Sequence, residues 1–114
     1  MNKELDAAFA LYKAIDAKFG KDITLLDLRG ITPIADFFFI VTGGSAPQLA
    51  ALSEAAEEVM KAYDIPLKHR EGVKSANWTL LDFGDIVVHL FDQESREYYD
   101  IDHTWADAKM LKPE

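Results

Sequence analysis

The sequence predicts one α/β domain, a mixed β-sheet packed with helices. Three observations carry that prediction. Two stretches repeat apolar residues at three- and four-residue intervals, the signature of amphipathic helices. Short runs rich in Phe, Ile and Val follow each of them, too short for helices and suited to strands. Gly and Pro stand at the joins and punctuate the order helix, two strands, helix, three strands, helix.

Leu5, Ala8, Phe9, Tyr12, Ile15 and Phe19 fall on one stripe, with Gly20 after them, so a first helix is predicted over 3–19 with Gly20 as its stop. The run ITLLDL (23–28) reads as a strand, and Gly30 and Pro33 break the chain after it. DFFFIVTG (36–43) is a second strand. It is nearly continuously apolar, which predicts a central strand covered on both faces. Gly43-Gly44 then turns the chain into a second helix. Ser45 and Gln48 have capping-box spacing, and Leu49, Leu52, Ala56, Val59, Met60 and Tyr63 supply the apolar stripe. After Pro66, PLKHR (66–70) reads as a short edge strand. WTLLD (78–82) and DIVVHLF (85–91) read as a hairpin joined at Phe83-Gly84, with Gly84 supplying positive φ to a type II or bulged turn. The tail from Ser95 onward reads as helical in one or two pieces.

At 114 residues, with 49% hydrophobic residues, the chain suits a single domain whose core needs no covalent staples. Cysteine is absent, which excludes disulfides and thiolate chemistry and fits a reducing cytoplasm. The N-terminal residues lack the pattern of a signal or transit peptide, and no apolar run approaches the length of a bilayer span, so no membrane is expected. A formal net charge of −8 disfavours phosphate backbones, since nucleic-acid affinity comes mostly from cations. Little or no direct nucleic-acid contact is expected, and a basic protein is the better electrostatic match.

The letters Asp82-Phe83-Gly84 match the kinase metal-binding tripeptide. No glycine-rich loop, strand lysine or catalytic Asp/Asn pair accompanies them, so turn chemistry explains them better. TGGSAPQL (42–49) ends a strand and opens a capped helix, the setting of many anion sites and of the nucleotidyltransferase glycine-serine signature. That chemistry needs a close carboxylate pair for magnesium, and none stands nearby in sequence, so a helix cap is the expected role. His69, His89 and His103 have no ligand-like spacing. No metal, cofactor or catalytic residue is expected.

If Asp82 lies opposite Asp85, alternation places Thr79, Leu81, Ile86, Val88 and Leu90 on a plain core face. The other face carries Trp78, Leu80, Asp82, Asp85, Val87, His89 and Phe91, with Trp78 opposite His89. Such a mixture makes a poor core and a good binding surface, because aromatic anchors dominate interface energies. The competing reading is that a tail helix simply covers it.

DLRGITPIADFFFIVTGGS, EGVKSANWTLLDFGDIVVHLF and ESREYYDIDHTWADA together resemble the Iojap family, the ribosomal silencing factors, across roughly residues 5–109. The more specific pieces are Ala35-Asp36, Thr42-Gly43, Glu71-Gly72, Trp78, Asp82-x-Gly84-Asp85, Val88-His89, Glu94-x-Arg96, Tyr99 and Trp105. The pattern departs from the family at His103 and Thr104. The resemblance implies a sheet fold distantly like nucleotidyltransferases, without catalysis. It implies a cytoplasmic factor that binds ribosomal protein number fourteen of the large subunit, blocks joining of the small subunit and represses translation when nutrients are scarce. Carried over residue by residue, the partner-binding positions are Trp78, Asp82 and Tyr99, with Leu80 and Tyr98 beside them. A homodimer stays open as an assembly state. The alternative is a nucleotide-binding enzyme using the Thr42–Ser45 turn.

Overall fold

A computed structural model describes residues 3–73 and 78–113. In chain order the elements are α1 (Lys3–Ala17), β1 (Lys21–Asp27), β2 (Phe37–Thr42), α2 (Ala46–Ala62), β3 (His69–Val73), β4 (Trp78–Asp82), β5 (Ile86–Phe91), α3 (Gln93–Tyr99), α4 (Ile101–Thr104) and β6 (Lys109–Leu111). The six strands form one sheet in the order β3-β4-β5-β2-β1-β6. Only β2 and β5 run parallel; the other neighbours are antiparallel, so the sheet is mixed, as the sequence predicts.

The strand predicted to be central is so. All six residues of β2 are buried, between β5 on one side and β1 on the other. Alternation along the strands divides the core into two clusters. On one face, Leu25, Phe37, Phe39, Val41, Leu81, Ile86, Val88 and Leu90 meet Ala7, Ala8, Leu11 and Ile15 of α1. Leu49, Leu52, Ala56 and Met60 of α2 complete that cluster. On the other, Leu26, Phe38, Ile40, Val87 and Phe91 lie under the C-terminal segment, with Trp105 and Ala108 packed against them.

Gly20 does not stop α1 by taking a left-handed conformation. Phe19 does that, at φ 64°, and the Gly20 amide donates to the Ile15 carbonyl at 2.9 Å. Glycine is needed at 20 for space: a Cβ there would lie 2.5 Å from Ile15 Cγ2. The predicted edge strand after Pro66 starts later, at His69, and does lie at the sheet edge. The tail is two short helices as predicted, but it then ends in a strand. β6 pairs with β1, Leu25 opposite Leu111 and Asp27 opposite Lys109. Three residues on a sheet edge carry no period, so the sequence gives no sign of it.

The hairpin register differs from the expected one. Trp78 faces Phe91, Leu80 faces His89 and Asp82 faces Val87. Gly84 and Asp85 form a two-residue loop, closed by the Phe83 amide donating to the Ile86 carbonyl at 2.9 Å. Gly84 holds φ 93° at the first loop position, the II′ pattern favoured between twisted strands. The Asp82 carboxylate accepts from the Gly84 amide at 2.7 Å and fixes that geometry. The slip is two residues, and side chains alternate every residue, so both predicted faces survive. Asp85 alone leaves its face and joins the exposed loop.

Candidate functional site

The face built from β4 and β5 carries a continuous aromatic array. Trp78 stacks on Phe91 at 6.2 Å between ring centroids and on His89 at 6.5 Å. Tyr99 of α3 leans on Trp78 at 5.6 Å and on Phe91 at 5.8 Å, and Tyr98 meets Tyr99 edge-on at 5.1 Å. Towards the sheet centre the array continues through Phe38, 5.3 Å from His89, to Trp105, 5.7 Å from Phe38. Offset and edge contacts of this kind suit the ring quadrupole and hold the rings in fixed orientations.

The array is only partly covered. Phe91 and His89 are buried, Trp78 and Leu80 are half-buried, Tyr99 is 41% exposed and Tyr98 81% exposed. The expectation that the tail covers this face therefore holds in part. The C-terminal segment covers the end near Phe38 with Trp105, while the end near Trp78 opens to solvent through the two tyrosines. Polar atoms on this face are left over. Trp78 Nε1 and His89 Nδ1 are buried, with no hydrogen-bond partner among the described residues. Burial pushes His89 down to about 4, so it is neutral at pH 7 and adds no charge to the face.

Of the five predicted partner-binding residues, Trp78, Tyr98 and Tyr99 come together. Leu80 adjoins them, packed on the same cluster. Asp82 stands at the far end of β4, about 13 Å from Trp78 by strand rise. Its carboxylate is half-buried and holds the Gly84 amide with one oxygen. Around the tyrosines α3 and its exit add exposed Glu94, Glu97 and Asp100, so the rim of the open end is acidic.

α3 takes its place through a part-buried arginine that stands out in the sequence only as part of a motif. Asp92 caps the helix, accepting from the Ser95 amide at 2.7 Å. Arg96, one turn later, points back under the segment into the ends of β1 and β2. It donates to Thr42 Oγ1 and Thr24 Oγ1, each at 3.0 Å, and pairs with Asp102 at 2.8 Å. No hydropathy period marks such a residue; its partners lie up to 74 positions away.

The glycine-serine turn is consumed internally. Ser45 Oγ accepts from the Gln48 amide at 3.2 Å, the half of a capping box that the spacing predicts, while Gln48 Oε1 accepts from the Gly44 amide, one residue before the N-cap amide that a full box would use. Gln48 Nε2 also donates to the Phe19 carbonyl at 2.8 Å, tying α2 to the end of α1. Gly43 is required by close approach, since a Cβ would lie 2.6 Å from Leu49 Cδ2. Among the described residues no group of three or more His, Asp or Glu side chains is placed to hold a metal ion, and no helix is long and apolar enough to cross a membrane.

Comparison with known proteins follows the same lines. The family model described as "Ribosomal silencing factor during starvation" matches residues 2–114. The ribosomal silencing factor RsfS of Halalkalibacterium halodurans is 38% identical over 101 residues, covering 89% of this chain and 86% of that protein. The chloroplastic protein Iojap of Zea mays is 32% identical over 108 residues, covering 95% of this chain and 47% of that protein. A crystal structure of a protein from Chromobacterium violaceum superposes with a TM-score of 0.84 at 31% identity, covering all of this chain and 92% of that one.

Proposed function

This chain belongs to the ribosomal silencing factor family, and from that premise we propose that it docks its open aromatic face on a basic protein of the large ribosomal subunit. We take that protein to be number fourteen. Association with the small subunit is then blocked by bulk alone. The family membership itself carries a silencing role on the ribosome; the docking face and the blocked step are the finer reading.

The observation that carries this reading is the joining of half-buried Trp78 with exposed Tyr98 and Tyr99 at an acidic edge. Aromatic rings with two torsions lose little entropy on docking and bury large areas, so they serve as anchors. Glu94, Glu97 and Asp100 around them favour a basic partner and speed encounter. Steric exclusion then needs no bond-making. The bound domain has only to hold its place more tightly than the forming subunit bridges compete, in the cytoplasm where subunits join. An enzyme reading draws no support from the glycine-serine turn, because the Gly43 amide already serves the Phe91 carbonyl and the Gly44 amide the Gln48 side chain.

Purified large and small subunits, mixed with saturating protein and resolved on a sucrose gradient, test the proposal. The joined peak is expected to fall, and the protein is expected to sediment with large subunits. Normal joining at saturation would sink it. Isothermal titration with ATP, CTP and GTP plus magnesium is expected to give no saturable heat.

A further inference from the structure

We propose that Arg96 is a positioning residue for docking: it pins the C-terminal segment to the sheet so that Tyr98 and Tyr99 stand preformed beside Trp78. The inference rests on the docking-face reading above and adds the device that sets the face.

Every guanidinium N–H of Arg96 can be matched to an acceptor. Nε donates to Asp102 Oδ2 at 3.1 Å and Nη2 to Asp102 Oδ1 at 2.8 Å, a two-pronged pair. Nη2 also donates to Thr24 Oγ1 at 3.0 Å, and Nη1 to Thr42 Oγ1 at 3.0 Å and to the Asp22 carbonyl. One side chain, 11% exposed, thus joins α3, α4, β1 and β2. Lysine could not, since its point charge has no fork to span the carboxylate and the strand ends together.

The backbone on both sides is bent to make this possible. β1 pairs Lys21 with Thr42 but Thr24 with Ile40, a one-residue shift that marks a bulge. Asp22 sits in that bulge at φ 47°. Its carbonyl accepts there from Arg96 Nη1. On the other side Asp100 takes φ 49° between α3 and α4, which folds the chain back so that Asp102 reaches the same guanidinium. Left-handed conformations are uncommon in residues other than glycine, and two of them border this one side chain.

α3 has only seven residues, too few to hold itself in water. Its register on the sheet fixes where Tyr98 and Tyr99 point, and Arg96 lies two and three residues before them. Without the pin the tyrosines would have to be ordered when the partner arrives, and that ordering weakens binding.

Full-length variants and isolated ribosomal protein fourteen test this by titration. Arg96→Met is expected to weaken binding about tenfold or more, and Arg96→Lys to recover only part of it. In a Tyr98→Ala/Tyr99→Ala background, Arg96→Met should weaken binding less than about twofold further, because the groups it positions are gone. With Trp105→Phe leaving Trp78 as the single indole, Arg96→Met should also shift its emission to the red as Tyr99 leaves the stack. Should Arg96→Met fail to fold, Asp102→Asn removes one charge partner and should move affinity and emission in the same directions, by less. Equal weakening in both backgrounds, or unchanged affinity and emission, would overturn the inference. Wild-type binding by Trp78→Ala and by the double tyrosine variant would instead overturn the docking-face reading, and this inference with it.

Discussion

On one face of the sheet α1 and α2 lay down helices of 15 and 17 residues; on the other α3 and α4 supply seven and four. The long helices bring aliphatic stripes and close their face, down to Phe39, Leu52 and Ile86, which have no exposure. The short ones bring aromatic rings, leave Tyr98 in solvent and leave two buried ring nitrogens without partners among the described residues. The difference separates two jobs of a hydrophobic surface. A face sealed by its own chain makes stability. In the docking proposed above, a face half-sealed, with fixed rings and an acidic rim, keeps apolar area in reserve for another molecule.

The comparison breaks first at the sealed face. Phe39→Ala is expected to cost roughly 3–5 kcal/mol in urea unfolding, from lost transfer energy plus the cavity left between α1 and α2. Affinity of the folded fraction for large subunits should stay unchanged. A cost under about 1 kcal/mol would mean that this face is not the rigid one.

His89 sharpens the contrast through pH. Its folded value is near 4, against 6.5 for an unperturbed imidazole, so the fold favours the neutral ring. Above about pH 6.5 both states are neutral and this group's contribution to stability is fully present. As pH falls towards 4 the unfolded chain takes up the proton first, and stability is lost at up to about 1.4 kcal/mol per pH unit, about 3 kcal/mol in all. His89→Leu should remove that loss. Taking the difference between wild type and variant cancels the contributions of the other groups. Parallel pH profiles would show that the aromatic face is wetter than its packing implies.

Trp78→Ala separates the two jobs within one residue. Half-buried, it should cost less stability than Phe39→Ala, about 1–2 kcal/mol, yet weaken partner binding about thirty-fold. Urea unfolding and titration on the same variant give both quantities. A stability loss equal to that of Phe39→Ala, with normal affinity, would make Trp78 a core residue and the half-sealed face an ordinary second core.

How much of this was legible in the sequence follows from what each feature needs. The helix stripe of α2, the buried β2 and the Ser45 cap are local patterns, and they stand where the spacing puts them; the α1 stripe does so only in part, since Ala7 and Leu11 share its buried face and Phe19, beyond the helix, is 79% exposed. The two hairpin faces were legible even with the wrong register, because a two-residue slip preserves alternation. The register itself depends on Gly84-Asp85 forming the loop, which an assumed Asp82–Asp85 pairing missed. β6 was hidden because three edge residues carry no period. Arg96 was hidden as a pin because its acceptors, Thr24, Thr42 and the Asp22 carbonyl, come from strands far away in the chain. The partner-binding set was read from the family resemblance and from alternation; what neither supplied was that Asp82 stands a strand's length from the tyrosines.

That separation makes Asp82→Asn the finest test of the comparison. Asparagine keeps a side-chain oxygen for the Gly84 amide, so the loop should hold and stability should change by less than about 0.5 kcal/mol. The charge alone is removed. If Asp82 lies on the rim of a docked partner, its loss should slow association and flatten the salt dependence, with affinity falling only a few-fold and dissociation nearly unchanged. Stopped-flow association at two ionic strengths reads this directly. A loss as large as that of Trp78→Ala, and felt in dissociation, would put Asp82 inside the contact with a desolvated cation against it. The open face would then run the whole length of β4, from the tyrosines to the hairpin loop.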